Sequence, residues 1–110
     1  MRKIEQRMAE AFRNKQTFKS GNTEVLFKAM TNDGQYPKGD HFLVVELFGK
    51  EIVRQDSATG VIEVTHAGWP TATTKSRLNA IGAGVHQSNF IWYIDGKEWG
   101  GSWTAIAAKY

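Results

Sequence analysis

Hydrophobic residues recur along this chain with two different periods, and the change of period marks out its elements. From residue 3 to residue 14, Ile4, Met8, Ala11 and Phe12 fall at i, i+4, i+7 and i+8. That is the single buried stripe of an amphipathic helix, with Lys3, Glu5, Gln6, Arg13 and Asn14 on its other faces. The period then drops to two. Between Asn22 and Met30, Thr23, Val25, Phe27 and Ala29 alternate with Glu24, Leu26 and Lys28, which predicts a half-buried strand.

Phe42 to Phe48 is apolar on both faces except at Glu46, the pattern of a strand in the middle of a sheet. Gly49-Lys50 predicts a hairpin turn, Glu51 to Arg54 the returning strand, and Val61 to His66 the next. A helical stripe resumes at Leu78, Ile81 and Val85, predicting a helix from about Thr74 to Ala83. Thr73 or Thr74 is the expected N-cap, and Gly82 and Gly84 the stop. Asn89 to Ile94 and Lys97 to Trp103 flank Asp95-Gly96, a strong hairpin signal, and residues 104–110 read as an edge strand or a docked extension.

The predicted order is α-β-β-β-β-α-β-β. The connections are too short for parallel crossovers. The expected fold is therefore α+β: one domain, a mostly antiparallel meander sheet with two helices packed on one face. Asp33 to Asp40, the longest irregular stretch, is the expected mobile loop.

Composition narrows the chemistry. The chain has 110 residues and no cysteine, so disulfides, thiolate metal sites and cysteine nucleophiles are excluded. No apolar run reaches the length of a membrane span, and no signal-peptide core follows Met1. These features predict a soluble protein of the cytoplasm, starting at its own Met1 and free of membrane contact. The formal charge of +3 is unevenly placed: residues 1–19 hold six cations against two anions, and the rest hold eight against nine. The basic segment points to an anionic partner.

Catalytic patterns are weak. His41, His66 and His86 lie too far apart in sequence for a metal motif, so no metal and no cofactor are expected. A Ser57–His66–Asp56 set lacks a nucleophile elbow, and no paired-carboxylate or phosphate-loop pattern is present. The expectation is a protein that is not an enzyme. A small-nucleotide enzyme using His66 or His86 as base stands as a third reading.

Two binding constellations are stronger. The first is the start of the second helix. Thr71, Thr73 and Thr74 supply hydroxyls there, Lys75 and Arg77 charge, and Trp69 a stacking ring, all beside the positive end of the helix dipole. With Arg2, Lys3 and Arg7 of the basic segment, this set predicts a nucleic-acid partner, DNA ahead of RNA. The second is aromatic. Phe90, Trp92 and Ile94 share one strand face and Ile91 and Tyr93 the other. With Trp99 and Trp103, Trp92 and Tyr93 form the alternative site, an anchor surface for a host or defence protein. An open sheet edge leaves room for a homodimer.

Arg2-Lys3-Ile4-Glu5 with Met8 and Ala11, followed by Ser20-Gly21-Asn22-Thr23, resembles the start of a group of small tailed-bacteriophage proteins. Gly68-Trp69-x-Thr71-x-Thr73-Thr74-Lys75-Ser76-Arg77-Leu78-Asn79-Ala80 resembles the centre of the same group. The resemblance implies a phage accessory protein made inside a bacterial host. It brings no catalytic residues with it.

Overall fold

The computed structural model describes residues 3–29, 41–57 and 59–106. Arg2, the predicted loop Asp33–Asp40 and residues 107–110 lie outside them. The described chain runs α1 (Lys3–Arg13), β1 (Phe18–Ser20), β2 (Thr23–Ala29), β3 (His41–Leu47), β4 (Lys50–Asp56), β5 (Ile62–Val64), α2 (Ala72–Ala80), β6 (Val85–Ser88), β7 (Ile91–Ile94), β8 (Lys97–Glu98) and β9 (Thr104–Ile106). The fold is α+β, with every strand pair antiparallel.

The predicted meander is the main sheet, in the order β1-β2-β3-β4-β5-β9, and β6-β7-β8 form a second, three-stranded sheet. The tail strand returns to pair with β5, Ile62 opposite Ile106. Alternation sends Val25, Val45, Val53 and Val64 to one face of the main sheet, where they are fully buried. Met8 and Phe12 of α1, Leu78 of α2 and its C-cap Ile81 pack on that face, and Val85, Trp92 and Ile94 of the second sheet, with Trp99 just after it, join the same core. β3 is central, as its apolar run predicts.

Local chemistry corrects several boundaries. The N-cap of α2 is Thr71, not Thr73 or Thr74: its extended backbone (φ −103°, ψ 164°) lets its hydroxyl accept the Thr74 N–H at 3.2 Å. The helix stops at Ala80, short of Ala83. Gly82 (φ 97°) donates to the Asn79 carbonyl and Ala83 to that of Leu78, the two bonds of a glycine-terminated Schellman end.

The two-residue hairpin turns also shift. Phe48-Gly49, with φ of 52° and 77°, replaces the expected Gly49-Lys50 turn. Asn89-Phe90, with φ of 51° and 66°, forms a turn inside what reads as one strand, so Val85–Ser88 becomes the partner of Ile91–Ile94. Phe90 therefore leaves the strand face it was expected to share with Trp92 and Ile94. The strand expected over Lys97–Trp103 is reduced to Lys97–Glu98. Beyond it the Trp99 N–H still bonds the Trp92 carbonyl, but the indole N–H turns to the Ser102 carbonyl and the Thr104 hydroxyl.

Candidate functional site

The cationic start of α2 divides in two when its side chains are followed. Arg77 is 3% exposed: its Nε donates to the Thr23 hydroxyl at 3.0 Å, and its Nη1 lies 3.6 Å from a Glu5 carboxylate oxygen. Glu5 is equally buried and also accepts from the Ser76 hydroxyl. Charge buried without a partner is costly, so Arg77 and Glu5 act as a cross-tie between the two helices and β2. Arg77 is thereby removed from the predicted nucleic-acid set. Thr74 is removed as well, being fully buried with its hydroxyl against that of Thr71. Lys3 and Arg7 are exposed and Lys75 half-buried, and none of them lines the groove described next.

Trp69 alone of that set is a large exposed ring, 53% accessible. Ala67-Gly68 makes a left-handed turn (φ 54° and 82°) closed by the Trp69 N–H on the His66 carbonyl, and Pro70 then leads into the α2 cap. This fixes Trp69 opposite the β3–β4 hairpin. Between them lies a groove of about 410 Å³. Leu47 and Ile52 line its hairpin side with Phe48, while Trp69, Thr71 and Thr73 line the other. Ile52 is the extra residue of a β-bulge beside Val45 and Glu46, and it turns into the core beneath the groove. The Lys50 ammonium sits 5.0 Å from the centre of the Trp69 ring.

The predicted aromatic surface is rearranged. Trp92 and Trp99 are buried around His66, whose ring meets Trp92 edge-on at 5.7 Å and Trp99 at 5.8 Å. Gly101, at φ 97°, passes so close to His66 that no side chain fits there. Trp103 lies half-buried under the Arg54 guanidinium at 4.1 Å, and half-buried Tyr93 stacks on His86 at 5.0 Å. The most exposed large apolar residues among those described are instead Phe48, 72% accessible, and Phe90, 94% accessible, with Ile91 following it in the chain. The sequence carries a signal for one of the two phenylalanines: Phe48-Gly49 has glycine at the second turn position.

A second, wider hollow takes in His66, Pro70, Phe90 and Trp92, so the Trp69-Pro70 segment forms a ridge between two concave surfaces. On the opposite face of the main sheet, Lys28 bonds both Glu46 and Glu51 at 2.7 Å. Burial pulls its pKa down, but the hydrogen bonds and charge of the two carboxylates outweigh this and hold the ammonium above the ordinary 10.5.

No cluster of three or more potential metal ligands occurs among the described residues. Asp56 precedes β5 while His66 follows it, so the Ser57–His66–Asp56 set is spread along a strand. No helix among the described residues is long and apolar enough to cross a membrane.

Fold and site together define a small α+β protein with an aromatic groove at one end of its main sheet. The chain belongs to the Kyanoviridae Gp96 protein family, a bacteriophage group whose family model matches residues 1–106. The match covers the whole described chain without singling out the two motifs of the sequence. No curated protein and no solved structure matches it.

Proposed function

We propose that this phage protein acts by stoichiometric binding, without turnover, and that its partner is a protein of the infected cell docked on the Phe48–Trp69–Phe90 surface. The observation that carries the reading is the pair of phenylalanines at hairpin tips. A bulky side chain at positive φ is an outlier costing of order 1 kcal/mol or more, and such strain concentrates at functional positions. Phe48 and Phe90 both adopt this conformation and both are exposed, so the rings gain little burial in return within the folded chain. Exposed aromatics around a concave surface are the usual anchors of protein interfaces.

The nucleic-acid alternative is left with Lys3, Arg7, Trp69, Thr73 and Lys75 among its described residues, since Arg77 and Thr74 face inward. Phosphate binding draws on several converging cations, and the groove itself contains one, Lys50.

The test is site-specific photocrosslinking in infected cells, with the reactive amino acid placed at position 48, 90 or, as a control, 10. The expected result is a discrete protein adduct from positions 48 and 90 and none from position 10. Adducts to nucleic acid, or equal labelling from all three positions, overturn the reading.

A further inference from the structure

We propose that the groove between the β3–β4 hairpin and the start of α2 seats an apolar side chain of a linear partner segment that carries a carboxylate within two residues of that anchor. This rests on the protein-binding reading above and narrows it to one groove and one partner chemistry.

The shape comes from named residues. Leu47 and Ile52 close the base and Phe48 and Trp69 form the rims, leaving about 410 Å³. That lies within the range of about 300–1,000 Å³ typical of binding pockets. A large aliphatic or aromatic side chain placed there is enclosed by apolar surface on several sides.

The charge comes from two sources of one sign. Lys50 is the one charged residue in the lining, and no acidic residue lies there or in the first turn of α2. Among the described residues Lys50 makes no ion pair, and its ammonium rests on the Trp69 ring. Lys28, by contrast, is held between two carboxylates. The opening turn of α2 adds the positive end of a helix dipole to the same wall, through Thr73 and Thr74. An exposed cation–π contact is worth only about 0.5–1 kcal/mol. A carboxylate arriving with its apolar neighbour seated adds a charge-assisted hydrogen bond to the same ammonium while the seated side chain shields it from water. A single cation beside an apolar cleft suits an acidic peptide better than a polyphosphate backbone, which is tracked by many cations.

The experiment is selection of a random peptide display library on the immobilised intact protein. The enriched sequences are then synthesised with a fluorescent label for anisotropy titration. Enriched peptides are expected to share a Trp, Phe, Leu or Met with Asp or Glu within two positions. Trp69→Ser and Lys50→Glu are each expected to weaken binding about tenfold or more, with melting temperatures close to that of the unmodified protein. Replacing the peptide's acid by Lys should restore affinity for Lys50→Glu. Enrichment of peptides without an acid, affinity indifferent to Lys50→Glu, or no enrichment at all overturns the proposal. Peptides lost only on Phe90→Ser also overturn this groove assignment while leaving the broader protein-binding reading in place. Photocrosslinks to nucleic acid sink both.

Discussion

The stretch from Gly68 to Ile81 behaves as two regions that meet at Thr74. Up to Thr73 it is a surface: a left-handed turn, an exposed tryptophan and a cap, facing a groove. From Thr74 onward it turns one side to the interior: Thr74, Arg77, Leu78, Ala80 and Ile81 are all buried. The two halves invert the usual assignment of residue types. The arginine holds the molecule together, and the aromatic ring faces solvent. A charged residue in a dense polar motif is therefore no guide to binding until its partner is known, and here that partner is Glu5 on another helix.

The largest effect should come from the interior half. Arg77→Met leaves Glu5 buried with its main counter-charge removed, and should cost about 3–5 kcal/mol in urea unfolding. The double variant Glu5→Leu/Arg77→Met should be more stable than Arg77→Met alone. Equal stability of single and double variants would break the cross-tie account. Next comes the boundary itself. Thr71→Ala should cost about 1 kcal/mol through loss of the cap, while Thr73→Ala should change little. The reverse order would move the boundary between the halves.

The exposed rings should respond with the opposite sign. Phe48→Asn and Phe90→Gly each create an Asn-Gly turn, the favoured pair for this hairpin geometry. Each should raise stability by about 0.5–1 kcal/mol while reducing partner crosslinking from the remaining positions. Destabilisation by both would show that the rings pack rather than bind.

The smallest effect belongs to Lys28, which is half-exposed in a network worth up to about 1 kcal/mol. Its raised pKa means that the contribution is fully present below about 10.5, the unfolded value, and is lost only as pH climbs through the higher folded value. Alkaline unfolding of Lys28→Met should accordingly lack that final loss.

Parts of this comparison were legible in the sequence and parts were not, for physical reasons. The α1 stripe and the doubly apolar β3 are repeating patterns set by burial, and both elements form where the pattern places them. The α2 boundary was missed by two residues because Thr71, Thr73 and Thr74 are chemically equivalent as caps. Only the backbone angle at Thr71 chooses among them. The burial of Arg77 leaves no local mark, since Thr23 lies 54 positions away and no periodicity links the two. The Asp95-Gly96 tip forms where the sequence predicts it, whereas Phe disfavours left-handed turns, so propensity points away from the tips at Phe48-Gly49 and Asn89-Phe90.

The return of β9 to β5 carries a consequence for how the molecule is assembled. Everything from Thr65 to Trp103 lies between two neighbouring strands. The pairings from β1 to β5 join strands that are consecutive in the chain, whereas the last must bridge everything from Thr65 to Trp103 and is disfavoured in rate. Until it closes, β5 presents unpaired amides on an open edge. The expected outcome is faster deuterium uptake at the β5–β9 seam than at the β2–β3 pairing, read by hydrogen exchange.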